Sequence, residues 1–266
     1  LGLKMEGAAI ATCISNIAAT SYLLYYLFRT RRENVISLSP KYFRFKRSVA
    51  GEIFFVGLPS SIQFMMSVLS NAVLNYLMAA YTASALSAVG IVKKVDMVPT
   101  YVVQGICNGV IPLLAYNYAS GNYKRLWRCA YFAGVCSLCV TFSYLALCES
   151  FAPFIIRIFI DNARAVDLGA VFLRLHCMST PFLAIFFLVI AFFQATGRGT
   201  PALFISFLRK GAIDIPFMIV MNVVWPMYGI MAVQPMMDFI VAVICLAIYR
   251  IVQKKDRREL ELKKTA

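Results

Sequence analysis

Residues 53–92 read IFFVGLPSSIQFMMSVLSNAVLNYLMAAYTASALSAVGIV, a run without one Asp, Glu, Lys or Arg. A helix crossing the hydrocarbon core needs roughly 20 mostly apolar residues, so this run is too long for one span and long enough for two. Tyr81-Thr82-Ala83-Ser84 is the place to divide it, giving a helix over about 53–81 and another starting near Ala85. Working outward, the helix begun at Ala85 continues past Lys93, Lys94, Asp96 and Pro99 to about Tyr118. Residues 7–28, 129–156, 173–196, 201–224 and 229–249 complete a set of seven. The whole chain agrees with this reading. Its 266 residues are 61% hydrophobic and 14% charged, with a mean hydropathy of +0.75, whereas a soluble domain is nearer half apolar and about a quarter charged. A cytosolic enzyme, a disordered chain and a disulfide scaffold are excluded together. The expectation is an all-α integral membrane protein with about seven transmembrane helices.

A net charge of +14 would ordinarily raise nucleic acid as a partner. Here the basic residues fall between the apolar segments and form no face of their own, so no nucleic acid is expected. Their distribution sets orientation instead, because cytoplasmic loops carry the excess of Lys and Arg. Arg29, Arg31, Arg32, Lys41, Arg44, Lys46 and Arg47 follow the first span, and Arg250, Lys254, Lys255, Arg257, Arg258, Lys263 and Lys264 follow the seventh. Lys124, Arg125, Arg128, Arg198, Arg209 and Lys210 are counted on the same side. The other side holds Lys4, Lys93, Lys94, Arg157, Arg164 and Arg174. The C-terminus is therefore expected in the cytoplasm of a multi-pass protein of the cell membrane. Tyr42, Phe43 and Phe45, set among Lys and Arg, fit either a segment lying on the inner leaflet or a solvated basic linker. Residues 163–175 read as a short amphipathic stretch outside, leading into the fifth span.

In hydrocarbon a polar side chain is costly, so its spacing marks the face that avoids lipid. Ser60, Gln63, Ser67, Asn71 and Asn75 recur in steps of three and four, with Ser61 and Ser70 beside them. Thr100, Gln104 and Asn108 repeat the pattern in the third helix, and Thr12, Asn16 and Thr20 in the first. Such stripes line a water-accessible cavity or bond one helix to the next. Three carboxylates lie within spans. Asp96 has Lys93 three residues before it, and Asp214 has Lys210 four before it; each reads as a local ion pair or as a proton or cation site. Asp238 has no basic residue within a turn, and Gln234 is its strongly polar neighbour. It is the leading candidate for a titrating group.

Pro59, Pro99, Pro112, Pro181, Pro216 and Pro235 lie in or at the ends of spans, a frequent feature of transporters. Gly105 and Gly109 have the spacing of a small-residue packing face. Cys136-x-x-Cys139 sits in an uncharged run and reads as small buried side chains in a membrane helix. His176, the one histidine, cannot build a metal centre and falls near an outer edge. Gly7–Thr12 and Gly229–Gln234 open the first and seventh helices with similar small-residue runs, a hint that each ends one copy of a six-helix repeat. With no initiator Met at Leu1 and a first span entering from outside, the chain reads as the back part of a longer protein.

Residues 105–123, GICNGVIPLLAYNYASGNY, resemble the segment that ends the second helix of the C-terminal lobe in multidrug and toxic compound extrusion (MATE) transporters. Val56-Gly57-Leu58-Pro59 is similar to the start of that lobe, Phe193-Gln194-Ala195-Thr196-Gly197-Arg198 to the end of its fourth helix, and Gly229 with Gln234-Pro235 and Asp238 to its last helix. These blocks occur in the family's order over residues 51–250. The resemblance implies twelve helices in two six-helix lobes. Residues 1–28 would be the last helix of a missing N-terminal lobe, 29–52 a basic inter-lobe linker, 53–252 the C-terminal lobe and 253–266 a charged tail. It also implies export of cationic, amphipathic compounds by alternating access, driven by H+ or Na+, with no cofactor. Gln63, Ser67, Asn71, Gln104, Asn108 and Gln194 are then the cavity candidates, and Asp238, Asp214 and Asp96 the coupling candidates. The family's acid in its very first helix would lie outside this chain. A lipid-linked oligosaccharide flippase of the same superfamily is the alternative, favoured by a cationic central groove; the cations Lys93, Lys94, Arg209 and Lys210 are expected near the span edges. A seven-helix receptor stands further off. A retinal protein lacks its Schiff-base lysine midway along the last span, and an intramembrane enzyme lacks a nucleophilic or metal constellation.

Overall fold

The computed structural model describes residues 4–30 and 47–265, all in helices and the turns that join them. The chain forms two compact units, residues 1–50 and 51–266. The first contains α1 (Lys4–Arg29). Its apolar side chains, including Ile10, Ile14, Ile17, Leu23 and Phe28, are exposed. Thr12, Asn16 and Thr20 belong to this unit, while Tyr42, Phe43 and Phe45 lie outside the described residues.

The second unit is built from α2 (Arg47–Ala79), α3 (Ala83–Ala119), α4 (Tyr123–Arg157), α5 (Ala163–Cys177), α6 (Thr180–Ala195), α7 (Gly199–Phe207), a π-turn (Leu208–Ala212), α8 (Asp214–Val224) and α9 (Tyr228–Thr265). The uncharged run divides where its sequence says it should. Thr82 caps α3, its hydroxyl accepting from the Ala85 amide at 3.1 Å, so one orphan donor of the new helix is satisfied. Ala-Ser-Gly-Asn at 119–122 makes the next boundary. Gly121 takes φ 71°, open to a residue without Cβ. The Asn122 amide closes back on the Asn117 carbonyl at 2.9 Å, and the Asn122 side chain caps α4 by accepting from the Arg125 amide at 3.2 Å.

Residues 9–29 of α1, and α3, α4 and α9 are each long and apolar enough to cross a bilayer, and α5 with α6 makes a further span bent by 40°. The α2 helix contributes an apolar stretch over Phe64–Ala79. The sixth segment is α7, π-turn and α8 together, a broken rod. Outward-facing Phe54, Tyr76, Tyr131, Phe142, Val223 and Ile251 leave large apolar side chains exposed, a surface that suits lipid and not water.

Two apolar cores bracket the centre of this unit. One gathers Val89 and Val92 of α3, Phe172 of α5, Met218 of α8 and Ile230, Met231, Val233 and Met237 of α9. The other gathers Leu114 of α3, Phe186, Phe192 and Phe193 of α6, Ile205 of α7 and Val241 and Cys245 of α9. On α3 and on α9 the polar side chains fall between the residues committed to these cores. One sequence expectation is made specific here and one is corrected. Residues 163–175 are amphipathic and lead into α6: α5 exposes Arg164, Asp167 and Arg174 and buries Ala165, Val166, Gly169, Ala170, Phe172 and Leu173, and its Gly169 allows the Ile156 side chain of α4 to approach to where a Cβ would stand at 2.9 Å. Gly105 and Gly109 pack against none of the described residues; a Cβ at either would meet nothing within 4 Å.

Where α8 turns into α9 the backbones nearly touch. A Cβ on Gly229 would lie 2.5 Å from the Met221 carbonyl oxygen, which as backbone cannot step aside.

Candidate functional site

Asp238, on α9 and 2% exposed, is the most tightly held carboxylate of the described residues. Arg209 donates from Nε to Oδ1 at 2.7 Å and from Nη2 to Oδ2 at 3.2 Å. Gln234, one turn earlier on α9, donates to Oδ2 at 2.9 Å. The guanidinium also lies over the Phe186 ring, 4.6 Å from its centroid, so cation–π attraction adds to a fork-shaped ion pair. The sequence expectation of an unpaired Asp238 is therefore corrected. Its counter-charge comes from another helix, beyond the reach of any i, i+4 inspection. The placement of Arg209 and Lys210 is corrected with it: they are not edge or loop cations but lie in the π-turn, and Arg209 is 6% exposed. In the wider π geometry successive residues are re-aimed, and both cations face the same polar centre.

Lys210 reaches Gln234 Oε1 at 2.8 Å and Asp214 at 3.7 Å, the local pair its spacing implied. Asp214 in turn accepts from the Ser70 hydroxyl of α2 at 2.5 Å. Lys93 of α3 donates to Asn71 of α2, so Asp96 does not take Lys93 as its partner. Asp96 instead faces His176 of α5, Nε2 to Oδ2 at 3.4 Å, with the Thr100 hydroxyl at 3.5 Å. Asp96 Oδ1 and Asp214 Oδ1 are buried and have no hydrogen-bond partner among the described residues.

These groups surround a cleft of about 220 Å³ between α2, α3, α6, the π-turn and α9. Ser67, Asn71, Gln104, Asp96 and Asp238 of the sequence candidates line it, with Phe64, Tyr101 and Phe187 as aromatic wall. Asp214 sits one layer deeper, in a water-sized space of about 20 Å³ that shares Asn71, Lys93, His176 and Gln234 with the cleft. Asn108, one turn beyond Gln104 on the same side of α3, is exposed and absent from the lining, because the residues of α3 that line the cleft run only from Lys93 to Gln104. Gln194 is half-buried at the end of α6, also away from it. The Gln63 side chain lies outside those described. His176, Arg209 and Lys210 are members that sequence reasoning named for other reasons or set aside. The signal available for Arg209 was a charge inside an otherwise apolar span, which marks a functional position by default.

Three cations, Lys93, Arg209 and Lys210, thus meet three carboxylates, Asp96, Asp214 and Asp238. The expectation of few, peripheral cations is overturned. A cationic groove does not result, because Arg209 and Lys210 are matched by carboxylates. Such a cleft, balanced in charge and walled by aromatics, can receive a ligand with an apolar body and one charge.

Comparison with known proteins adds the family. Residues 59–220 match the MatE family model. The multidrug export protein MepA of Staphylococcus saprophyticus is 29% identical over 231 residues, covering 86% of this chain and 50% of that protein. MepA of Staphylococcus aureus is 28% identical over the same shares. The chain spans about half the length of these curated relatives. Among solved structures, a MATE protein in its straight conformation superposes with a TM-score of 0.83 at 19% identity, over 97% of this chain and 58% of that one. An outward-facing multidrug resistance MATE transporter gives 0.83 at 18%, over 95% and 57%. With the match covering well over half its residues, the chain belongs to the MatE family.

Proposed function

We propose that this chain supplies the C-terminal lobe, and the last helix of the preceding lobe, of a two-lobed exporter of cationic, amphipathic small molecules in the cell membrane. The lobes rock about a shared central cavity, and export is exchanged for H+ or Na+. The observation that carries this reading is the cleft: Phe64, Tyr101 and Phe187 beside Asp96 and Asp238, inside a unit whose exterior is apolar. Aromatic faces attract organic cations, more strongly where water is excluded, and a carboxylate supplies the counter-charge. The names of the MepA relatives point the same way.

The test is transport by the two-lobed protein reconstituted in liposomes, with tetraphenylphosphonium as the probe. An imposed H+ or Na+ gradient should drive its movement against its own gradient, and collapsing that ion gradient should stop it. Absence of movement under either gradient, from protein that remains folded, would refute the proposal.

A further inference from the structure

We propose that His176, paired with Asp96, is the group of this lobe that carries the proton exchanged for a cationic substrate. The inference rests on the export reading above and names the coupling site within it. The three carboxylates are not equivalent: Asp214 and Asp238 are buried, whereas Asp96 is only half-buried. Asp238 is fixed by three hydrogen bonds from Arg209 and Gln234. Asp214 is held by Ser70 and Lys210. Asp96 has two long contacts, His176 at 3.4 Å and Thr100 at 3.5 Å, and a buried oxygen, Oδ1, that no described residue bonds. It lines the cleft, and so does His176.

The charges decide the rest. With three cations against three carboxylates, the centre is neutral while the imidazole is neutral. Imidazole is the side chain that ordinarily changes charge between about pH 5 and 8. A proton added to the unprotonated ring nitrogen of His176 makes an imidazolium, which pairs with the Asp96 carboxylate and leaves the centre one charge positive. An organic cation at Asp96 is then both displaced and repelled. Loss of that proton restores the neutral ring and frees the carboxylate for the next cation, so one proton enters for each positive charge that leaves. The ionisable groups facing this pair are Lys93 on α3, Tyr144 and Cys148 on α4, Cys177 on α5, and Lys210 and Asp214 from the π-turn and α8. Both lysines have other oxygen partners, Asn71 for Lys93 and Gln234 with Asp214 for Lys210, and neither closes on Asp96.

The experiment measures tetraphenylphosphonium binding to the two-lobed protein in nanodiscs across about pH 5 to 8, with proton release on binding followed in weak buffer. Wild-type protein should lose affinity as pH falls, approaching about tenfold per pH unit where proton and cation compete for one site. It should release up to one proton per cation through this lobe. His176→Gln, which keeps hydrogen bonding without the charge change, should bind with the pH-dependence reduced by that one proton. Asp96→Asn, a second variant should the first not fold, should weaken binding and remove the same proton. If both variants bind and release protons as wild type does, the His176 assignment is overturned while the export reading stands. If wild type neither binds nor moves the probe, the export reading itself fails and takes this one with it.

Discussion

Arg209 and Asp238 stand 29 residues apart in the chain and 2.7 Å apart in space. Both are nearly dry, so their value to the fold is asymmetric: removing one partner strands the other's charge. Arg209→Met should lower the stability of the folded unit by about 3–5 kcal/mol, read as a large fall in thermal unfolding temperature in detergent. Arg209→Met with Asp238→Leu should recover much of it, because an apolar pair of similar volume carries no stranded charge. Asp238→Asn should leave the pH profile of export in place, since the Arg209 fork assigns this carboxylate to holding the π-turn against α9. Efflux that loses its pH-dependence in that variant would return Asp238 to the coupling role its isolation in sequence implied. That isolation was real along α9, where Gln234 sits one turn away. What periodicity does not contain is the register between two helices, and Arg209 arrives from the other one. The same gap concealed His176. A lone imidazole has no spacing to interpret, and its partner is 80 positions earlier on α3.

At the scale of elements, local chemistry was legible. The division of residues 53–92 at Thr82, and the Gly-Asn turn at 121–122, follow from capping and backbone freedom carried by those residues alone. The interruption of the sixth span was visible too, as charges at 209, 210 and 214, but charge does not say whether a helix bends, stops or widens. The π-turn resolves that, since one extra residue in the coil lets Arg209 and Lys210 face inward together. Deleting Gly211 should remove that extra residue and return the segment to α geometry, so that Arg209 and Lys210 no longer face inward together. Tetraphenylphosphonium binding should then fall although the helix content measured by circular dichroism is unchanged. The α4–α5 crossing offers a second check. Gly169→Ala pushes a methyl against Ile156, 2.9 Å from its Cγ2, and should cost about 1–3 kcal/mol. Ile156→Ala in the same chain, which removes Cγ2, should relieve that added cost, a coupling that a double-mutant cycle measures directly.

For the molecule as a whole, moving Arg209, Lys210 and Lys93 from the span edges to the polar centre leaves the charge asymmetry intact. Seven Lys and Arg follow α1 within residues 29–47, and seven more occupy residues 250–264. The positive-inside rule therefore still predicts a cytoplasmic C-terminus. A green fluorescent reporter fused after Ala266 should fluoresce, and alkaline phosphatase at the same point should be inactive; the reverse pair of results would invert the topology. The fold class was readable because burial in lipid writes itself into composition. The contents of the cavity were only partly readable, since polar stripes mark a face without marking its neighbour. The contact at Gly229 bears on motion. With Gly229 against the Met221 carbonyl at one end and the guanidinium fork joining the π-turn to Asp238 further along, α8 and α9 are fastened at two points. Spin labels placed on these two helices should then keep one separation through a transport cycle, an internal ruler against which displacement of every other helix can be gauged.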